Sequence, residues 1–155
     1  MICPQAEQYP KLNSQNLKQL FKLWNQEYPL EASFQQIEEL EEYLAHLQSP
    51  VHYLFFSDTK ELKAWFCVFE RNGLPWFAMI VDRNKQGLGW GSEILKRAQE
   101  KYEILNGWAV DHNQYQKSDG SLYPSPLGFY EKLGFRKTKQ RFDQGQLSVC
   151  HIIWP

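Results

Sequence analysis

Three runs of strand character follow one another with almost nothing between them. "VHYLFFSD" (51–58), "ELKAWFCVFE" (61–70) and "LPWFAMIVD" (74–82) are rich in aromatic and β-branched residues, which suit a pleated, half-buried surface. The connectors "SDTKE" and "RNG" are short and polar, as hairpin loops are, so the strands are expected to be antiparallel neighbours. A three-stranded meander follows, and with it a sheet that cannot be built from βαβ units alone.

Helical patterns flank this meander. In "NSQNLKQLFKLWNQ", Leu17, Leu20, Phe21 and Trp24 recur at helical spacing behind Asn13 or Ser14 as cap. A second helix is expected from Ser33, with Ser33 and Gln36 in a capping-box pattern, a buried stripe of Phe34, Ile37, Leu40, Leu44 and Leu47, and a stop at Ser49-Pro50. After the meander, Ile94, Leu95, Ala98 and Tyr102 share one face of a third helix. "EILNGWAVD" (103–111) reads as a strand, although its Asn-Gly equally suits a turn just before one. Residues 112–124 form a polar loop, and "SPLGFYEKLG" has Ser125 as cap, Pro126 at the first helical position and Gly134 past the end. Two final strands, around "FRKTKQRFD" and "LSVCHIIWP", are joined by "DQGQ". The expectation is one α/β domain over residues 1–155 with a mixed sheet.

Lys plus Arg total 17 against 18 for Asp plus Glu, so no net field favours nucleic acid or a membrane surface, and a small partner is expected. Cys67 and Cys150 lie in apolar runs, Cys3 stands apart, and no CxxC or Cys/His ligand spacing occurs. Inert thiols and no metal are expected. The opening "MICPQAEQYPKLN" lacks the pattern of a secretory signal, and no stretch approaches the ~20 apolar residues of a membrane span. A cytoplasmic protein is expected.

The most unusual stretch is "VDRNKQGLGWGSEIL", residues 81–95, with Gly87, Gly89 and Gly91 between a strand and a helix. A helix N-terminus exposes unpaired N–H groups and a partial positive charge, and glycine lets a phosphate approach that backbone without meeting a Cβ. A P-loop would need Lys-Ser or Lys-Thr after its last glycine, whereas Ser92-Glu93 follows here. A dinucleotide fingerprint would need a third glycine where Ser92 stands, in a βαβ context that two helices and a meander do not provide. A loop whose glycines serve turn geometry alone remains open on these residues.

Taken with its surroundings, Gln86-Gly87-Leu88-Gly89-Trp90-Gly91 resembles the Q/R-x-x-G-x-G/A motif of the GNAT superfamily of acetyl-CoA-dependent N-acetyltransferases. "MIVDRNK" before it is similar to that family's strand into the loop, and "GFYEKLGF" (128–135) is similar to its later segment F-Y-x-K-x-G-F. The order of elements is also the family's. The resemblance implies a central mixed, mostly antiparallel sheet flanked by about four helices, whose strands at 74–82 and 103–111 splay to admit acetyl-CoA as cosubstrate. It implies that the backbone of Ile80 and Val81 pairs with the pantetheine amides. The N–H groups from Gln86 through Gly87, Leu88, Gly89 and Trp90 to Gly91, with the Ser92 hydroxyl, would hold the pyrophosphate. Arg83, Lys85, Lys96 or Arg97 would screen the outer phosphates or serve as a solvated face.

The resemblance also implies direct attack on the thioester by a primary amine of a small molecule or peptide, in a monomer or homodimer. Tyr130 would protonate the departing thiolate, a nearly balanced transfer given ordinary values near ~8.5 for a thiol and ~10 for a phenol. An alkylamine is mostly protonated at neutral pH, so a base is needed. Asp111 and His112 are the candidates by position, against the plain readings of a loop cap and a surface or core histidine; Asp82 and Glu70 are further alternatives. The oxyanion would meet a backbone N–H near Ile80. Many family members carry Asn seven residues before the tyrosine, where Tyr123 stands here. Tyr115, Tyr123, Trp108 and the helix around Trp24 are candidate walls for the acceptor. The competing hypothesis is a noncatalytic CoA- or acyl-CoA-binding module or sensor.

Overall fold

A computed structural model describes residues 2–155. The strands are β1 (Glu7–Tyr9), β2 (Gln48–Phe56), β3 (Leu62–Arg71), β4 (Leu74–Val81), β5 (Leu105–Ala109), β6 (Arg136–Gln144) and β7 (Leu147–Trp154), and the helices are α1 (Ser14–Glu27), α2 (Ile37–Ala45), α3 (Trp90–Lys101) and α4 (Leu127–Lys132). The seven strands form one sheet in the order β1-β2-β3-β4-β5-β7-β6. The meander is β2, β3 and β4, antiparallel throughout, with the β3–β4 turn made by Asn72 and Gly73 at φ 55 and 75. All other pairings are antiparallel except β4–β5, which is parallel and paired at a single position, Trp76 with Asn106.

Side-chain alternation divides the core between the two faces of the sheet. Ala64, Phe66 and Val68 of β3 join Ile94 and Leu95 of α3 and Tyr130 of α4 in one cluster. Trp65, Cys67 and Phe69 of the same strand join Leu20 and Trp24 of α1 and Leu40 and Leu44 of α2 in the other. Both faces are therefore covered by helices. The three cysteines are free and buried, with burial pushing the Cys67 thiol up to about 12.

Local expectations fail at three places. The second helix begins at Ile37, not Ser33, because Leu30–Ala32 forms a separate 3₁₀ turn and the capping box is Gln36 with Glu39. Ser49-Pro50 does not end that helix. These residues already belong to β2, where Ser49 has φ 50 and the register shifts between Gln48 and Val51, a bulge that accommodates proline. The fourth helix begins at Leu127, with Pro126 rather than Ser125 as its N-cap, whereas Asn106-Gly107 lies within β5 as the strand reading has it, bare because a Cβ on Gly107 would come within 2.8 Å of the Phe77 ring. Strand β1 carries only three residues and had no alternating pattern to announce it.

The core holds one titratable group with a definite pH consequence. His52 is 2% exposed, and its Nδ1 accepts a hydrogen bond from Trp65 Nε1 at 3.0 Å. Burial lowers its pKa to about 4. An unfolded histidine takes up its proton near ~6.5, so between these values the unfolded chain binds more protons and unfolding is favoured as pH falls. The contribution is complete above about pH 6.5 and is lost toward pH 4, for a total of roughly 3 kcal/mol. Urea unfolding between pH 7.5 and 4.5 should show this slope flattened in His52→Asn, which keeps an acceptor for Trp65; an unchanged slope would assign the dependence to other groups.

Candidate active site

The gap opened by the single β4–β5 pairing is the mouth of a cleft of about 1000 Å³. It passes from one face of the sheet to the other. Phe77, Met79 and Val81 line it toward α3 and α4, Ala78 and Ile80 toward α1 and α2. Asp82 N–H donates to Lys63 O of β3, so by strand alternation the backbone groups of Ile80 also face β3 while those of Met79 and Val81 face the gap. Consistently, Met79 O accepts from the Tyr28 hydroxyl at 3.5 Å and Val81 O from Gln86 Nε2 at 2.8 Å. Val81 thus presents backbone to the cleft as expected. Ile80 contributes its side chain, and its backbone groups pair with β3.

One end of the cleft is the glycine loop, where Gln86, Gly87, Gly89, Gly91 and Ser92 are lining residues. Gly89 is the N-cap of α3, in the left-handed region at φ 86, and Gly87 has φ 77. A Cβ at either would meet nothing within 4 Å, so the space beside them is open. The Gln86 and Leu88 amides donate to Asp82 O and Lys85 O, whereas no hydrogen bond among the described residues uses the N–H groups of Gly87, Gly89, Trp90, Gly91 or Ser92. Five amide donors at and just before the N-terminus of α3 are thus without a hydrogen-bond partner among the described residues. Gly91 has another reason to be bare: its Cβ would lie 3.0 Å from Phe129 Cζ, so it lets α3 pack on α4. Leu88 is exposed, and Trp90 is 2% exposed beneath Lys85, whose Nζ is 5.2 Å from the ring centre.

In the middle stand three phenols, Tyr28, Tyr123 and Tyr130, all lining the cleft. Burial raises the pKa of each, to about 12 for Tyr123, and Tyr28 and Tyr130 are raised further by phenol neighbours. Tyr130 is 7% exposed, and its hydroxyl has no hydrogen-bond partner among the described residues. Below them Glu27, 4% exposed, ties three segments together. Its Oε1 accepts from Lys117 Nζ at 2.9 Å, and its Oε2 from the Arg83 amide at 2.8 Å and Arg83 Nε at 3.2 Å. Burial alone would raise this carboxyl, but hydrogen bonds from Lys117, Gln26 and Arg83 outweigh it and hold the pKa below the ordinary value.

The far end is an aromatic chamber. Trp24 has ring centroids of Tyr28, Phe34 and Tyr43 at 4.7, 5.3 and 5.4 Å, and its Nε1 donates to Ala32 O at 2.8 Å, fixing the 3₁₀ turn against α1. Trp108 and Phe142 complete the wall. Of the four expected acceptor walls, Trp24, Trp108 and Tyr123 line the cleft. Tyr115 does not, because its hydroxyl donates to Gln146 O and accepts from Ser148 N–H, pinning the β6–β7 turn.

The expected bases are not brought to the cleft. Asp111 pairs with Lys137 Nζ at 2.7 Å and Arg141 Nη1 at 2.8 Å, and hydrogen bonds from Arg141 and Lys137 hold its carboxyl well below the usual carboxylate range. Such a group is a poor proton acceptor. His112 Nδ1 accepts from the Gln114 amide at 3.1 Å and its ring packs edgewise on Tyr115, so it caps the loop. Asp82 is buried on Lys63, Gln26 and Asn84, and Glu70 is exposed. Arg83 is tied to Glu27 and Asp119, and Arg97 to the Cys3 and Pro4 carbonyls, which leaves Lys96, exposed on α3, as a surface charge near the loop. Sequence reasoning missed Glu27, Lys117, Glu31 and Arg71, all of which line the cleft. They sit at a helix end, in a polar loop, in a 3₁₀ turn and beside a hairpin, where single charges carry no pattern.

This fold is that of the GNAT-family N-acetyltransferases. Among similar solved structures are an aminoglycoside 6'-N-acetyltransferase complexed with coenzyme A (16% identity, 99% of this chain and 96% of that chain covered, TM-score 0.66) and the spermidine/spermine N-acetyltransferase SpeG from Vibrio cholerae (19%, 96% and 91%, 0.59). A GNAT-family protein from Bacteroides thetaiotaomicron is similar at 13% identity, with 96% and 86% covered and a TM-score of 0.62. No protein-family model and no curated protein matches the sequence.

Proposed function

We propose that this protein is an acetyl-CoA-dependent N-acetyltransferase that acetylates a primary amine of a small molecule or peptide by direct attack on the thioester. The observation that carries this reading is the continuity of one cleft, from unpartnered amides at the α3 N-terminus, past the unpaired edge of β4 and the Tyr130 hydroxyl, into an aromatic chamber on the opposite face.

These residues fit coenzyme A. The N–H groups of Gly87, Gly89, Trp90, Gly91 and Ser92, with the partial positive charge of α3, suit a pyrophosphate, and the Ser92 hydroxyl adds a donor. The outward backbone of Met79 and Val81 suits the pantetheine amides as an added strand would. When bound, acetyl-CoA supplies the activated acyl group and the thiol leaving group. Tyr130 donates a hydrogen bond to the sulfur as negative charge develops there, and an edge N–H of β4 meets the charge on the carbonyl oxygen. Of the lining carboxylates, Glu27 is committed to Lys117, Gln26 and Arg83 and Glu39 Oε1 to the Gln35 and Gln36 amides, whereas Glu31 keeps an unpartnered oxygen, so the attacking amine passes its proton to Glu31 or to water in the cleft.

The deciding experiment is thiol release from acetyl-CoA with a panel of amines. Amine-dependent release supports the transferase; tight acetyl-CoA binding without turnover on any amine would support a binding module instead. A companion prediction separates backbone from side-chain recognition. Gly89→Val puts a β-branched residue at φ 86 and shifts the amides, so acetyl-CoA affinity should fall about tenfold or more. Lys96→Ala removes one exposed charge and should cost less than about 1 kcal/mol. Calorimetry giving equal, small losses would count against the loop as the phosphate site.

A further inference from the structure

Two charged side chains that line the cleft have no counter-charge among the described residues. Arg71 ends β3, and its guanidinium carbon lies 4.6 Å from the ring centre of Trp76 and 5.3 Å from that of Phe69. This stacking holds the fork in place but offers it no acceptor. Arg71 makes no ion pair among the described residues, and its Nη1 is buried without a hydrogen bond. Glu31, on the 3₁₀ turn, lines the same cleft, and its Oε1 is likewise buried and unpartnered. The two are not paired with each other. Other charges at this end are already satisfied: Glu27 by Lys117 and Arg83, and Glu39 Oε1 by the Gln35 and Gln36 amides.

Leaving a buried guanidinium nitrogen and a buried carboxylate oxygen unpaired is unfavourable, so both are suited to a ligand that brings the complementary charges. A plain amine answers Glu31 and is repelled by Arg71, and a polyamine more so. An anion alone has the opposite fault. We propose that the acceptor is an amine that carries its own carboxylate, an amino acid or similar zwitterion with a flat apolar side group. Its carboxylate docks on the Arg71 fork, its ammonium arrives facing Glu31, and its side group lies among Trp24, Phe34, Tyr43 and Trp108. This deepens the transferase reading and rests on it, with Arg71 as the residue that determines acceptor specificity.

The test uses matched pairs that differ only in the carboxylate: tryptophan with tryptamine, tyrosine with tyramine, and the methyl ester of each acid. The wild-type protein should favour the free acid over both partners in kcat/KM by about tenfold or more, the effect of one charge-assisted hydrogen bond. Arg71→Gln should abolish that preference, and Arg71→Lys, which keeps the charge but loses the planar fork, should restore only part of it. Equal or better use of the decarboxylated amines by the wild-type protein would overturn the proposal without any variant, as would a preference that survives Arg71→Gln. Calorimetry of the same pairs against the CoA-loaded protein separates the two readings. A carboxylate preference in binding with no turnover would sink the transferase but sustain Arg71 as the anchor; equal binding would sink the anchor.

Discussion

Tyr130→Phe is expected to fold normally and bind acetyl-CoA as the wild type does, while kcat falls by roughly 10- to 1000-fold. Phe77, Phe129 and Phe135 surround the Tyr130 ring at 5.7, 5.3 and 5.5 Å, and a phenylalanine keeps all three contacts. The deleted hydroxyl has no hydrogen-bond partner among the described residues, so its loss leaves none of them unsatisfied. Burial, and then the Tyr123 phenol, raise the Tyr130 pKa above its ordinary value, which moves the nearly balanced transfer expected from the sequence toward a weaker acid. Full proton transfer to a thiolate is then uphill. Because the sulfur is desolvated in the same cleft, a hydrogen bond to its developing charge still lowers the barrier. Stopped-flow thiol detection and a thermal melt check both halves of the prediction. Unchanged turnover on a true acceptor would leave Tyr130 as packing.

Glu27→Ala should have the largest effect on stability, costing about 3–5 kcal/mol, because it leaves the buried Lys117 ammonium with no counter-charge and takes from Arg83 one of its two carboxylate partners, the other being Asp119. The side chains of Glu27 and Lys117 are 3% and 9% exposed, so solvent screening does little to soften the loss. For a domain of this size the melting temperature should drop by roughly 10 °C. The loss is local in origin but wide in reach, since Glu27 joins the end of α1 to the segment after β4 and to the 112–124 loop. Adding Lys117→Met should recover part of the stability by removing the stranded ammonium. A double variant no more stable than Glu27→Ala would show that the Arg83 contacts carry the cost. Acid should act in the same direction: the Glu27 pKa is depressed, so its contribution is present above the ordinary carboxylate range and is lost as pH falls through and below it.

What could be read from the chain, and what could not, follows from the range of the interactions involved. The meander, the start of α3 and the short helix before Gly134 were legible because each depends on neighbours a few residues apart: alternating strands, tight turns, caps. The glycine loop was legible for the same reason, since Gly87 and Gly89 are demanded by their own φ values. Gly91 was legible as a glycine but not in its reason, a Phe129 ring supplied from 38 residues along the chain. Asp111 stayed open between a base and a loop cap in the sequence, because Lys137 and Arg141, the partners that lower its basicity, come from a later strand.

The sequence by itself determined the order of the four helices and the strands from β2 onward, the antiparallel meander and a glycine-rich helix N-terminus, because backbone conformation responds to local sterics and hydrogen bonding. Only the tertiary structure decided that β4 and β5 part after one pairing, that the resulting cleft crosses the sheet, and which charges inside it are neutralised. Glu27 meets Lys117 and Arg83 there, while Glu31 Oε1 and Arg71 Nη1 have no hydrogen-bond partner among the described residues. Desolvation and Coulomb interactions depend on distance and burial in space, and the same glutamate or arginine reads alike in sequence whether it ends in a salt bridge, in water or facing a substrate.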